Sequence, residues 1–222
     1  MTPNTTKSTP EPSAGIRFVP EIGKTIEVTF NYTKHSQPQG QRKKEIENFY
    51  QTLLKEINNL QIENIIDIGC GEGFTLDRIQ KSSINKELVG IDSSLVAVNL
   101  GKELFPQLDL RLGNIYQLPF PDKSFDLVVC TEVLEHLENP SQALQEIVRM
   151  AKKYIILSVP HEPFFSLRNI LQGKHLKRLG NTPGHINWWT EAKFKKFVEK
   201  ENITILKTRH PFPFTMVIGI KK

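Results

Sequence analysis

Cysteine is scarce in this chain: Cys70 and Cys130 are the only two among 222 residues. Two thiols cannot build the disulfide framework of a small secreted domain, so reduced thiols lining a cleft in a cytoplasmic protein are the expectation. Long apolar runs are also missing. None approaches the roughly 18 residues that cross a bilayer, and no membrane span is expected. The Thr-, Pro- and Ser-rich start has no apolar core after a basic segment, which argues against a secretory signal. Strong charge of one sign is absent too, the net charge being +5. The basic clusters Arg42-Lys43-Lys44, Lys174 to Arg178 and Lys195-Lys196 therefore read as solvated faces before they read as a nucleic-acid footprint. Of these, only Lys174–Arg178 lies beside the expected substrate side.

What is present is an ordinary globular composition, 38% hydrophobic and 24% charged, in a length that suits one domain. Residues 1–40 are expected to form an N-terminal arm, partly disordered because its first 15 or so residues hold few hydrophobics. An alternating stretch from Thr25 to Tyr32 suits a strand or an extended arm. Residues 41–222 are expected to form the domain. Apolar residues at Ile46, Phe49, Tyr50, Leu53, Leu54 and Ile57 recur at helical spacing. From Asn64 the chain alternates: strands are expected at 64–68, 87–91, 108–112, 125–130 and 153–159, with helices at about 73–82, 93–104 and 140–151. Such alternation gives a parallel sheet covered on both faces. Two last strands, 203–209 and 214–220, are separated by so short a turn that they must pair antiparallel. Residues 160–189, rich in Pro, Gly, His and aromatics, are long for a connection and are expected to be a substrate-covering insertion with a short helix near 164–172.

The segment Asp67-Ile68-Gly69-Cys70-Gly71-Glu72-Gly73 follows one of these strands and opens a helix. Glycines there remove the Cβ atoms that would hold a ligand off the backbone, and the helix start adds free N–H groups. A second apolar run ends in Asp92, about twenty residues on, where a strand-end carboxylate can accept hydrogen bonds from a ribose diol. Then comes Gly113-Asn114-Ile115-Tyr116-Gln117-Leu118-Pro119-Phe120-Pro121-Asp122-Lys123-Ser124-Phe125-Asp126, and after the next strand Glu132-Val133-Leu134-Glu135-His136-Leu137.

Together these motifs, in this order, resemble the class I S-adenosylmethionine-dependent methyltransferases of the type 11 kind. The resemblance implies an α/β Rossmann-like methyltransferase fold: a mostly parallel seven-stranded sheet with one antiparallel strand and helices on both faces. It implies S-adenosylmethionine as cofactor. Asp67 would orient the glycine loop or meet the amino end of the cofactor. Gly69, Cys70 and Gly71 would let its backbone approach, Asp92 would bind the ribose, and Asn114 with Ile115 would sit at the adenine. The family more often has aspartate where this chain has Asn114, so weaker discrimination of the adenine is expected. Asp126, which opens a strand, is expected to be structural.

Methyl transfer to a hydroxyl needs a positioned acceptor and a base. Glu132, Glu135 and His136 follow the fourth core strand; if helical, they share one face. They are then a hard-metal half-site, an acid/base cluster or a purely structural cap. His185, before Trp188-Trp189-Thr190, extends the pattern. It resembles the metal-dependent small-RNA 3′-terminal 2′-O-methyltransferases, and its E-x-x-E-H part resembles ubiquinone-pathway O-methyltransferases. By that resemblance Glu132, Glu135, His136 and His185 would hold a divalent metal (Mg²⁺, Mn²⁺, Fe²⁺ or Zn²⁺). His136, Glu132 and His161 are the candidate catalytic groups. Phe164, Phe165, Trp188 and Trp189 would either stack on a planar substrate or pack the insertion down. A small-molecule acceptor, small or lipid-linked and hydroxylated, is expected first. An RNA end is the alternative, and a non-catalytic cofactor-binding subunit the other.

Overall fold

A computed structural model describes residues 15–82 and 86–222. The disorder expected of the first residues falls on 1–14, outside the described residues. Next come an antiparallel hairpin, β1 (Gly15–Val19) and β2 (Lys24–Val28), and a short helix α1 (Phe30–Ser36). The alternating stretch 25–32 is thus half strand and half helix. The break falls at Thr29, whose hydroxyl accepts the Tyr32 amide at 3.0 Å and caps α1.

The long helix α2 (Gly40–Asn58) precedes the main sheet. The sheet strands are β3 (Asn64–Ile68), β4 (Glu87–Asp92), β5 (Asp109–Leu112), β6 (Phe125–Thr131), β7 (Ala151–Pro160), β8 (Ile203–Arg209) and β9 (Phe214–Lys221). Their spatial order is β5-β4-β3-β6-β7-β9-β8, with β9 antiparallel to both neighbours. The seven-stranded, mostly parallel sheet with one reversed strand is the expected one. Helices α3 (Phe74–Ser82), α4 (Leu95–Leu104), α5 (Pro140–Met150), α6 (Phe164–Leu171) and α7 (Glu191–Glu199) complete the chain.

Alternation along the strands divides the core in two. Ile66, Ile68, Val128, Cys130, Ile155 and Leu157 pack with α5 and α7 on one face. Ile65, Leu127, Val129 and Ile156 pack with α2 and α3 on the other. Cys130 is fully buried in the first cluster and Cys70 belongs to the second, so the cysteines do not line one cleft together. A side chain's face follows from its parity along the strand, and Cys130 points into the sheet core.

Two polar ties fix the parallel centre. Asp126 accepts the Glu63 amide at 2.8 Å and pairs with Lys152 at 3.2 Å, which is a structural role as expected. Arg149 reaches the Leu118 and Phe120 carbonyls at 3.1 and 2.7 Å and holds the Pro-rich loop that leads into β6. No helix among the described residues is long and apolar enough to cross a membrane.

Candidate active site

Parallel strands leave their carboxyl ends open along one edge, and the glycine loop lies there after β3. Its amides are fastened to the end of β4: Gly69 N–H and Cys70 N–H donate to the Ile91 carbonyl at 2.7 and 3.1 Å, and Gly71 N–H donates to Asp92 Oδ2 at 2.8 Å. Gly69 and Gly71 take φ of +77° and +54°, a region where a side chain is strained. Asp92 Oδ1 accepts the Ser94 amide at 2.8 Å, so one backbone bond orients each carboxylate oxygen and leaves lone pairs toward the cleft.

Asp67 is 1% exposed, and its Oδ1 has no hydrogen-bond partner among the described residues. Burial, then the nearby Asp92, pushes its carboxyl up to about 7. A buried, unpartnered carboxylate beside a glycine loop suits a cationic ligand group such as an amino terminus. Asn114 is exposed and closes its own turn, its Oδ1 accepting the Tyr116 amide at 3.0 Å. Ile115 packs partly against the core. These placements fit S-adenosylmethionine at Asp67, Gly69, Cys70, Gly71 and Asp92, and Asn114 Oδ1, which like each Asp92 oxygen accepts one backbone amide, keeps a lone pair for the adenine.

The second half of the site follows β6. Glu132 takes a positive φ of 59°, and Leu134–His136 forms a single 3-10 turn. The α-helical face expected to unite Glu132, Glu135 and His136 therefore does not form: the left-handed step at Glu132 turns the chain, and Asn139-Pro140 starts α5 only afterwards. Glu132 accepts a hydrogen bond from Ser158 at 2.8 Å instead. Glu135, His136 and His185 do come together, one ligand atom of each within 4.8 Å of the others.

Backbone bonds build that cluster. The Glu135 carbonyl accepts the amides of Ile186 and Asn187 at 2.9 and 3.1 Å, and the Asn187 side chain donates to the Leu134 and Leu137 carbonyls at 3.2 and 2.7 Å. The end of the 160–189 insertion is thus strapped to the turn after β6. His136 Nδ1 lies 3.1 Å from the Gly184 carbonyl; a carbonyl only accepts, so Nδ1 carries the proton and Nε2 faces Glu135 Oε1 at 4.0 Å. His185 is buried, with its ring 4.8 Å from that of His136. Burial, then His136 and Lys34, holds its imidazole down at about 3, so it stays neutral. Glu135 is buried with Oε2 unpartnered among the described residues, and burial followed by Glu132 raises its carboxyl well above the usual range. An orphaned buried carboxylate oxygen beside the imidazoles of His136 and His185 is a donor set that fits a divalent ion. Glu132 would have to leave Ser158 to join it.

His161 stands elsewhere. Its ring pairs with His210 at 5.5 Å and Phe164 at 5.2 Å, and His210 Nε2 meets Glu191 Oε2 at 2.9 Å. The chain leaves β7 at Pro160 toward the β8–β9 turn, where the His161 amide donates to Pro213. Among the aromatics, Trp189 packs on Phe194 and Phe197, and Phe165 on His185 and Phe214. Trp188 and Phe164 stay exposed.

Sequence patterns missed the contribution of α1. Thr29 Oγ1 and Asn31 Nδ2 both donate to Glu72 inside the glycine loop, the second at 2.6 Å. Lys34 turns toward Glu132 and Glu135; desolvation holds its ammonium below the usual lysine range against the pull of both carboxylates. His35 stacks on Phe74 at 5.3 Å. A threonine just before Phe30 could have marked a helix start in place of the strand or arm expected there, but a cap says nothing of what the helix covers.

Comparisons with known proteins bear on the family resemblance and the fold. Residues 66–157 match the family described as a methyltransferase domain. A probable S-adenosylmethionine-dependent methyltransferase of Mycolicibacterium smegmatis is 32% identical over 105 residues, 46% of this chain and 40% of that protein. The mitochondrial ubiquinone biosynthesis O-methyltransferase of Schizosaccharomyces pombe is 27% identical over 168 residues, 70% of this chain and 57% of its own. The chain thus matches well under two thirds of these relatives' lengths. Among solved structures, a SAM-dependent methyltransferase from Aquifex aeolicus superposes with a TM-score of 0.67 at 16% identity, covering 88% of this chain and all of the other, which shows the shared fold.

Proposed function

We propose, on the premise that this chain carries a class I S-adenosylmethionine-dependent methyltransferase domain of the type 11 family, that it methylates a hydroxyl of a small or lipid-linked metabolite with the help of a divalent ion. Asp67, Gly69, Cys70, Gly71 and Asp92 would hold the cofactor, which supplies a sulfonium-activated methyl group. The chain's own residues then have to position the acceptor in line and receive its proton.

One observation carries the hydroxyl reading: Glu135, His136 and His185 converge at the end of β6, the strand next to the glycine-loop strand β3. A divalent ion held by them would lower the pKa of an acceptor hydroxyl and orient its oxygen. One carboxylate with two imidazoles suits Mn²⁺, Fe²⁺ or Zn²⁺ better than Mg²⁺. Glu132 is the group to take the proton. Desolvation, opposed by Lys34 and Ser158, brings its carboxyl to about 7, close to where a general base works best. The Schizosaccharomyces pombe relative is named for O-methylation, which agrees with a hydroxyl acceptor.

The test is transfer of a labelled methyl group from S-adenosylmethionine to catechol acceptors by chelator-treated protein. The expected result is turnover only after a divalent ion is restored, and none in Glu135→Gln. Equal turnover with and without metal would assign the chemistry to a metal-free base. No turnover with any hydroxylated acceptor, despite cofactor binding, would favour a non-catalytic subunit.

A further inference from the structure

The segment from α6 to Leu179 leaves unusually much apolar surface uncovered. Phe164, Leu167 and Leu171 repeat along one side of α6 with exposures of 52, 50 and 79%. Every residue from 171 to 179 is exposed, including Leu176 at 57% and Leu179 at 79%. The fold does not ask for leucine at 179: its φ of +51° is left-handed, where glycine or asparagine costs less. The loop is nonetheless anchored at its base, because the buried Asn169 side chain donates to the Gly180 carbonyl at 2.8 Å.

Charge within the segment itself is of one sign, while Glu45 pairs with Arg168 and Glu191 and Glu199 line the pocket beside Phe164. No aspartate or glutamate occurs from 163 to 190, while Lys174, Lys177 and Arg178 interleave with the leucines. Arg168 is paired with Glu45, leaving the other three to face outward with Arg42 nearby. Aliphatic side chains between cations suit the boundary of an anionic bilayer, where leucine enters the acyl region and lysine meets headgroups. A single-stranded nucleic acid would call for a row of exposed aromatics, and residues 164–179 offer Phe164 alone against four exposed leucines.

The patch also joins the acceptor side. Phe164 borders an apolar cavity of about 330 Å³ shared with His161, His210, Phe212 and Phe214. Phe214 packs on Phe165, which packs on His185 of the candidate metal cluster. We infer that residues 164–179 dock the protein on an anionic lipid surface, so that a lipid-linked acceptor enters along this apolar path. The inference rests on the proposed methyltransferase reading for its purpose, not for its test.

The test is flotation of the full chain with vesicles of phosphatidylcholine alone or mixed with phosphatidylglycerol. Binding is expected only with phosphatidylglycerol and should fall as salt rises. Lys174→Ala with Lys177→Ala should weaken it roughly fivefold per cation removed, and Leu176→Ser with Leu179→Ser should also weaken it. All variants should keep their binding of S-adenosylhomocysteine, so loss of docking is distinguished from loss of the cofactor site. Absence of binding, or binding unchanged in both double variants, would overturn the inference. Capture of single-stranded RNA that needs the lysines but not the leucines, without vesicle binding, would overturn it in favour of a nucleic acid.

Discussion

Asn31 donates its side-chain amide to Glu72 Oε2 at 2.6 Å, and this bond joins the N-terminal helix α1 to the glycine loop. Glu72 is fully buried, and burial raises its carboxyl while Thr29 and Asn31 pull it back down. The helix that caps itself with Thr29 therefore also solvates the buried carboxylate of the loop expected to carry the cofactor. Asn31→Ala should lower stability by about 2 kcal/mol, the cost of removing a hydrogen bond to a charged group. Thermal unfolding checks this; an unchanged Tm would mean that the arm and the loop are independent.

Gly71 has φ of +54°, and a Cβ there would come within 2.6 Å of Asn31 Nδ2. Gly71→Arg should strain the turn, displace Asn31 and fill the space beside Asp92. We expect S-adenosylhomocysteine affinity to fall about a hundredfold or more, some 3 kcal/mol. Calorimetric titration measures it, and unchanged affinity would remove the glycine loop from the cofactor site.

Asp67 gives a pH dependence of definite sign. Its carboxyl sits at about 7 in the folded chain, against ~3.9 when unfolded. Between those values the folded state holds a proton that the unfolded state has lost, so this residue makes the cofactor-free protein less stable as pH rises from about 4 to about 7, with no further change above. Asp67→Asn should gain stability relative to the parent across that window, on the order of 4 kcal/mol at pH 8. Denaturant unfolding at several pH values tests it. A constant difference between the two proteins would refute the buried, ionisable assignment.

The separation of His161 from His185 yields a matched pair of variants. His185→Ala should weaken divalent-ion binding roughly tenfold or more, whereas His161→Ala, which borders the His210 pair, should leave it unchanged. Near-ultraviolet circular dichroism of both variants reports whether the domain stays folded. Equal ion affinity in all three proteins would take His185 out of the site.

Most of the sheet could be read in the sequence because Leu127 to Val129 and Ile155 to Leu157 are continuous apolar runs and Ile65 to Ile68 is broken only by Asp67, the mark of strands buried on both faces. The antiparallel pairing of β8 and β9 followed from the short Pro211–Pro213 turn, and the presence of one reversed strand from the family resemblance. Site residues tied to local motifs, such as Asp67 and Gly71, were equally legible. What escaped depended on distant pairing. No local pattern says that Asn31 meets Glu72, forty-one residues on, or that Arg149 holds the loop before β6. Glu132 was grouped with Glu135 by helical spacing, and a single left-handed residue undid that grouping. His161 looked like a neighbour of the cleft because it follows β7, yet the chain direction there carries it to His210.

The most direct measurement is titration of chelator-treated protein with Mn²⁺ and Zn²⁺ in the presence of S-adenosylhomocysteine, for the parent chain and Glu135→Gln. The cluster of Glu135, His136 and His185 calls for saturable binding near one ion per chain, sharply weakened in the variant. Absence of binding, or binding that the variant leaves intact, would contradict a metal-assisted hydroxyl transfer at this site.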